Sequence, residues 1–258
     1  MEHSICSFSE VSLLILLTND DGLKAEGLMT LKEELSSTGD VWVVAPEGEQ
    51  SAISHSLSLQ KPLEVKKISD RTFSIDGTPA DAVTVAVYGI LKKKPDLLVS
   101  GMNHGPNLGE DVTYSGTVAG AMEGALMGIP SIAVSVFKVN SAHLEEAARF
   151  VRKLALFVCK KGLPEGTFLN VNIPARRGKV EKYEVTKLGK KLKRKVELKK
   201  VNFRNRSFWL IGKENTDWSR ACCTDWSAVK RGKVSITPLQ LDLTNYGVIG
   251  QMKRWNIG

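Results

Sequence analysis

Two adjacent carboxylates stand at the end of an apolar run near the start of the chain. The run LLILLT, residues 13–18, has strand character and ends in Asn19, Asp20, Asp21 and Gly22. Carboxylates at the tip of a buried strand repel each other and lose hydration, which costs free energy unless a cation neutralises them. Side chains alternate in direction along a strand, but a turn at Gly22 can bring both carboxylates toward one ion.

The ligand types limit which ion this pair would bind. Oxygen ligands without thiolate or imidazole favour hard cations such as Mg²⁺ or Mn²⁺. The alternative is that one of the two aspartates caps the following helix. A cap accounts for one carboxylate but not for both together with Asn19.

A second polar segment follows another apolar run. The loop SGMNHGPNLG, residues 100–109, contains three glycines, two asparagines and one proline. Loops so rich in special backbone residues, placed directly after a buried strand, more often shape a site than merely turn the chain. Asn103 and Asn107 offer neutral oxygens that suit a metal or phosphate site.

A third segment, YSGTVAGA, begins a helix rich in small residues. The backbone N–H groups and hydroxyls at its start can surround an anion at the positive end of the helix. The residues concerned are Ser115, Gly116 and Thr117. An ordinary helix N-cap is the alternative, and for this motif taken alone it is the preferred one.

The first 175 residues alternate between two patterns. Five short runs, apolar on both faces, suit strands of a parallel sheet covered on both sides: 11–18, 40–46, 95–101, 130–136 and 166–174. Four segments between them show helical spacing: 26–38, 78–93, 115–128 and 141–160. Alternating βα units predict an α/β fold with a doubly wound, mostly parallel sheet, in which ligands bind at the carboxyl ends of the strands. Residues 63–77 break the rhythm and predict an inserted hairpin.

The pattern changes after about residue 178. YEVTKLG and RSFWLIGK read as two strands that flank a lysine-rich stretch, and the tail beyond them has few apolar residues. We therefore expect a catalytic core over 1–177. We expect a C-terminal hairpin and tail over 178–258 that does not form an independent domain and packs on the core or on a partner subunit.

Composition narrows the class of protein. The net charge is +8, and eight lysines and arginines fall within residues 187–200, a segment with few aromatic residues and no RNA-binding signature. A solvated hairpin is therefore favoured over a nucleic-acid-binding arm. No apolar stretch approaches the ~20 residues that a membrane span needs. The first ten residues lack a signal-peptide core, and the four cysteines form no CxxC pair, so we expect a cytoplasmic protein with reduced thiols.

Five sequence blocks stand out along the chain: ILLTNDDG, VVAPEGEQSAISHSLSL, DGTPADAV, PDLLVSGMNHGPNLGEDVTYSGTVAGAMEGALMGIPSIAVS and VSITPLQLDLT. Together they resemble the stationary-phase survival protein SurE family of metal-dependent nucleoside-monophosphate phosphatases. They run in the same order from about residue 12 to residue 246 with compatible gaps. A set of five blocks is far more specific than any one of them.

The resemblance implies a Rossmann-like, three-layer α/β/α core and a set of site residues. The implied metal ligands are Asp20, Asp21, Ser51 and Asn103, which would hold one divalent ion, Mg²⁺ or Mn²⁺. The implied substrate contacts are Asn107, Ser115, Gly116 and Thr117; Asn19 either orients the turn or touches phosphate. The expected reaction is hydrolysis of nucleoside 5′-monophosphates, with 3′-monophosphates as further candidates. The family also implies a hairpin and tail exchanged or packed between subunits in homodimers or homotetramers.

Two other functions remain open from the residues. Asp20 could be the nucleophile of an aspartyl-phosphate enzyme of the haloacid-dehalogenase type, but Gly22 stands where such enzymes carry a second aspartate. A non-catalytic nucleotide or nucleic-acid binder would use the lysine-rich stretch 187–200 as its contact surface and would release no phosphate.

Overall fold

The computed structural model describes residues 12–137, 140–175, 180–203 and 206–256. The first ten residues, with His3 and Cys6 among them, lie outside the described residues. The strands are β1 Leu13–Thr18, β2 Gly39–Pro46, β3 Val65–Ser69, β4 Thr72–Ile75, β5 Leu97–His104, β6 Ser131–Val136, β7 Thr167–Ile173, β8 Tyr183–Val185, β9 Lys191–Phe203, β10 Arg206–Trp218 and β11 Val234–Gln240. The α-helices are α1 Glu26–Leu35, α2 Pro79–Val85, α3 Gly116–Leu126, α4 Ser141–Lys161, α5 Asp225–Lys230 and α6 Tyr246–Met252.

Nine strands form one sheet in the order β3-β4-β2-β1-β5-β6-β7-β11-β8. The central pairs are all parallel, whereas β3 pairs with β4, and β11 with β7, in antiparallel fashion. The chain proceeds outward from β1 in one direction through β2 and in the other through β5, so the strand order reverses between β1 and β5. The predicted α/β fold with a mostly parallel sheet is confirmed, and the fold rule places ligands at this point of reversal.

Helices cover both faces of the sheet because the central strands are apolar on both faces. Ile15 and Leu17 of β1 pack in a buried cluster with Leu28 and Leu31 of α1, to which α4 also contributes. Leu16 points the other way and packs in a second cluster with residues of α2 and α3. This alternation along β1 gives the three-layer α/β/α arrangement.

Local signals set the helix boundaries. Thr78 and Asp81 form a capping box at the start of α2, the side chain of Asn140 accepts the N–H of His143 at the start of α4, and Gly162 ends α4. The segment expected to be helical over 78–93 consists of α2 followed by a π-helical turn, Ala86–Ile90. No helix in the described ranges is long and apolar enough to cross a bilayer.

The arrangement of the C-terminal strands differs from the sequence-based expectation. The lysine-rich stretch does not connect two strands; most of it is itself strand β9, which pairs with β10 in a separate two-stranded sheet. The segment YEV forms β8 and joins the main sheet beside β11 instead of pairing with RSFWLIGK. Alternating lysines and apolar residues, as in Lys191–Phe203, have the two-residue period of a strand. The segment forms a strand for this reason, despite its high charge.

The buried histidine of α4 predicts an acid-sensitive contribution to stability. His143 is buried, and burial lowers its pKa below the ordinary value of about 6.5. The unfolded chain therefore takes up a proton first as the pH falls, so His143 costs stability below about pH 6.5 and nothing above it. We expect urea unfolding in EDTA to show that His143→Gln loses less stability than the parent between pH 7.5 and 5.5. A stability difference between the two proteins that does not change with pH would contradict this role.

Candidate active site

A cavity of about 530 Å³ opens at the carboxyl edge of the sheet, where the strand order reverses between β1 and β5. It brings together six of the residues singled out from the sequence: Asp20, Asp21, Ser51, Asn103, Asn107 and Ser115. The other lining residues are Glu49, Ala52, His104, Pro106, Asp111 and Tyr114. Asn19, Gly116 and Thr117 do not line the cavity.

Asp20 is held at the start of α3. It is only 6 % exposed, and its Oδ1 accepts the hydroxyl hydrogen of the fully buried Thr117. Burial raises the pKa of Asp20, as does the charge of Asp21, while the hydroxyl and backbone N–H of Thr117 act in the opposite direction. The backbone N–H of Thr117 thus donates to the carboxylate of Asp20, and the hydroxyl of Thr117 orients the same carboxylate.

Gly116 allows this close approach of helix and carboxylate. A β-carbon at this position would lie 2.8 Å from Cβ of Asp20 and 3.0 Å from its Oδ2. Such a contact is too short for any side chain, so α3 can start beside Asp20 only with glycine here. The N-cap of the helix is Ser115, whose Oγ accepts the N–H of Val118 at 3.1 Å.

Asp21 is held by the end of β5, the strand next to β1. Its Oδ2 accepts the backbone N–H of His104, at the end of β5, over 3.0 Å. Burial raises the pKa of Asp21, the bond and charge of His104 lower it, and the charge of Glu49 raises it. The turn that carries both aspartates is closed by Asn19, which is fully buried and whose Nδ2 donates to the carbonyl of Gly22 at 2.9 Å.

Ser51 and Asn103 supply neutral oxygens next to the carboxylates. The hydroxyl of Ser51 donates to Oε1 of Glu49 at 2.5 Å, which leaves its oxygen lone pairs to a cation. The Nδ2 of Asn103 donates to the carbonyl of Gly105 at 2.8 Å, which leaves its amide oxygen as an acceptor. The register of β5 shifts between Ser100 and Asn103, and such irregularities re-aim side chains at strand ends.

This donor set fits a hard divalent cation. Within the described ranges, neither Asp20 nor Asp21 forms an ion pair with a lysine or arginine. The same ranges contain no cluster of three or more His, Cys, Asp or Glu side chains suited to a metal, so a site here would combine the two carboxylates with neutral oxygens. What remains is two carboxylates with raised pKa values beside hydroxyl and amide oxygens. A divalent ion would neutralise the repulsion, and Mg²⁺ in particular needs only one or two carboxylates from the protein.

Asn107 is fixed by a layer of buried polar side chains beneath the cavity. Its N–H donates to Oδ1 of Asn172 at 2.8 Å, its Nδ2 donates to Oγ of Ser135 at 2.8 Å, and its carbonyl accepts from Asn170 and Asn172. Because these bonds use its backbone and its amide nitrogen, the residue is held rigidly in the cavity wall.

Sequence reasoning missed several residues of this arrangement. Three of them, Glu49, His104 and Tyr114, lie close in sequence to predicted site residues. Only their position in the cavity identifies them as site residues. Asn170 and Asn172 gave a clearer signal, since two buried asparagines at alternate positions of an apolar strand are polar groups on one face that require partners.

Backbone hydrogen bonds join the loop after β2 to two other segments of the site. The N–H of Gln50 donates to the carbonyl of Asp20 at 2.7 Å, and the N–H of Ser54 donates to the carbonyl of Tyr114 at 3.0 Å. These bonds place Ser51 against the aspartates even though it is exposed.

Comparisons with known proteins identify similar chains. A profile of the family described as "Survival protein SurE" matches residues 15–195. The 5′-nucleotidase SurE of Geotalea uraniireducens is 48 % identical over 245 residues, which is 94 % of this chain and 99 % of the relative. The 5′-nucleotidase SurE of Pelobacter propionicus is 45 % identical over 243 residues, 93 % of this chain and 98 % of the relative.

A solved structure is similar over the same extent. The crystal structure of the SurE protein from Aquifex aeolicus superposes with a TM-score of 0.82 at 45 % sequence identity. The match covers 93 % of this chain and 98 % of that chain.

The strained carboxylate pair predicts a variant that is more stable than the parent. Asp20→Asn keeps the shape and an oxygen acceptor for Thr117 but removes a buried charge and its repulsion with Asp21. In EDTA we expect the free energy of unfolding to rise by about 1 kcal/mol, as when active-site strain is relieved. The measurement is urea unfolding at pH 7.5, with Asp217→Asn, an exposed aspartate, as the control. A less stable Asp20→Asn protein would show that the carboxylate is stabilising even without a cation.

Proposed function

The chain belongs to the Survival protein SurE family, and from this premise we propose that its cavity releases phosphate from nucleoside monophosphates. The protein is a metal-dependent phosphomonoesterase of the 5′-nucleotidase type. The observation that supports this site for the reaction is the meeting of two adjacent carboxylates, the buried Asp20 and the half-buried Asp21, with the start of α3 in one cavity. The similar proteins lend no support to a non-catalytic nucleic-acid binder or an aspartyl-phosphate enzyme.

The proposed metal ligands are Asp20, Asp21, Ser51 and Asn103, holding one divalent ion, Mg²⁺ or Mn²⁺. A bound divalent ion polarises a phosphoryl group and lowers the pKa of bound water. Thr117 and the N–H of His104 hold the two carboxylates in place for this task. The buried turn closed by Asn19 keeps both carboxylates on the same side of the strand end.

The proposed phosphate contacts lie beside the carboxylates, at the start of α3 and at Asn107. Ser115 and Gly116 open α3, where the helix dipole favours an anion and stabilises charge on the phosphoryl oxygens. Asn107 adds its amide oxygen, in a position fixed by Asn172 and Ser135. Thr117 affects the site by orienting the carboxylate of Asp20, and Asn19 by closing the turn that carries both aspartates.

The hairpin supports a proposal about assembly. Large apolar side chains are exposed along β9 and β10, among them Leu198, Phe208, Trp209, Leu210 and Ile211, and α6 buries none of its residues. Exposed apolar area of this extent marks protein–protein contact. Residues 178–258 would therefore hold a homodimer or homotetramer together, with 1–177 as the catalytic core. The cytoplasm, where exposed thiols such as Cys222 and Cys223 stay reduced, is the proposed location.

A phosphate-release assay tests the proposed reaction. With Mg²⁺ or Mn²⁺ we expect phosphate from AMP, GMP, CMP or UMP, supplied as 5′- and as 3′-monophosphates. EDTA and Asp21→Asn should each reduce the rate about 100-fold or more, since electrostatic stabilisation at the phosphoryl group depends on the carboxylate pair. Undiminished turnover in EDTA, or in a folded Asp21→Asn protein, would exclude the proposed site.

Sedimentation velocity tests the proposed assembly. The double change Trp209→Glu and Ile211→Glu places charges on one face of the hairpin and should convert oligomers to monomers, because buried unpaired charges oppose association. Tyr88→Glu, a change at an exposed aromatic residue outside the hairpin, is the matched control. Oligomers that persist in the hairpin variant would show that another surface holds them.

A further inference from the structure

The base of the β9–β10 hairpin lies against the loop that forms one wall of the cavity. Gly109, in the middle of that loop, has a φ of +54°, and a β-carbon there would lie 2.6 Å from the carbonyl oxygen of Gly189 and 2.8 Å from the ring of Trp218. Trp218 is the last residue of β10 and stacks on Trp226, with ring centroids 5.0 Å apart. The loop and the hairpin base are thus in direct van der Waals contact.

Asp225 connects the two segments by hydrogen bonds. It is fully buried as the first residue of α5 and carries no ion pair in the described part of the chain. Its Oδ2 accepts the N–H of Gly109 at 2.8 Å, and its Oδ1 accepts the N–H of Gly189 at 2.7 Å and that of Trp226 at 2.7 Å. One carboxylate therefore holds a backbone amide of the cavity loop and a backbone amide just before the hairpin.

A second connection runs between side chains. Lys191, the first residue of β9, donates from Nζ to Oδ1 of Asp111 at 2.5 Å, and its side chain is only 5 % exposed. The same Nζ lies 5.6 Å from the ring centroid of Trp218. Asp111 lines the cavity two residues after Gly109, and Asn107 lines it two residues before.

We propose that Asp225 is a positioning residue for nucleotide hydrolysis: through Gly109 it fixes the cavity segment from Asn107 to Asp111 against the hairpin base. The proposal rests on the proposed function of the cavity. Asp225 does not line the cavity and acts only through the backbone it holds. Lys191 supports the same segment through Asp111.

The chemistry of the carboxylate suggests the decisive variant. An asparagine at 225 has the same shape but only one acceptor oxygen, and its Nδ2 would meet an N–H donor on one side. Either the bond to Gly109 or the bonds to Gly189 and Trp226 must then be lost. A donor left without an acceptor in this buried place pushes the loop away from the hairpin base.

The test compares the parent, Asp225→Asn and the matched control Asp217→Asn by two readouts. Amide hydrogen exchange over residues 105–113 should become faster in Asp225→Asn and stay unchanged over 47–56 and in the control. In the AMP assay with Mn²⁺, kcat/KM should fall by about 100-fold, the size expected when a reacting group is misplaced by about 1 Å. Mn²⁺ affinity should be retained, because Asp20, Asp21 and Ser51 lie on other segments.

Each remaining outcome decides the proposal. A lower melting temperature with parental loop exchange and parental kcat/KM would overturn it and leave Asp225 a purely structural residue. If the parent releases no phosphate from any nucleotide, the proposed function fails, and loop exchange together with calorimetric binding of inorganic phosphate still decides the positioning role. If Asp225→Asn does not fold, Lys191→Gln is used in its place, and unchanged exchange over 105–113 in that variant counts against the proposal.

Discussion

Loss of hydration by two adjacent carboxylates, Asp20 and Asp21, is the constraint around which the site is built, and the charge of Asp21 adds repulsion at Asp20. Both carboxylates stand at the end of the central strand β1, and burial raises the pKa of each. A fold tolerates this only where other groups hold the carboxylates and a cation can share their charge. Thr117 holds the carboxylate of Asp20, and the N–H of His104 holds that of Asp21. The neutral oxygens of Ser51 and Asn103 complete a donor set suited to a cation.

The parallel sheet explains why these groups meet at all. The strand order reverses between β1 and β5, so the segments that follow these two strands diverge and leave a crevice between them. The start of α3 closes one side of the crevice, where Gly116 permits contact with Asp20. The opposite support comes from further along the chain, where Asn172 fixes Asn107 and Asp225 binds Gly109. The cavity wall is therefore held by elements that are remote in sequence.

The sequence predicted the parts of this structure that depend on local pattern. The apolar runs ending before Asn19 and near Asn103 gave the parallel strands, and the fold rule then placed their polar ends together. The resemblance to a family, rather than any spacing, brought in Ser51. The bond of Thr117 to Asp20 could not be foreseen, because a threonine at a helix start equally suits a cap or an anion site. Asp225 was missed because its partners, Gly109 and Gly189, are backbone amides that leave no pattern in sequence. The hairpin was mispaired because the lysines of β9 were read as a linker.

Calorimetric titration of Mn²⁺ tests most directly the central claim, that the carboxylate pair Asp20–Asp21 is a metal site. The parent protein, freed of metal with EDTA and then dialysed, should bind one ion per chain at the cavity. The double variant Asp20→Asn, Asp21→Asn, shown to be folded by circular dichroism, should bind none. Binding of one ion with parental affinity by the double variant would contradict the claim, since the ion would then be held by residues other than Asp20 and Asp21.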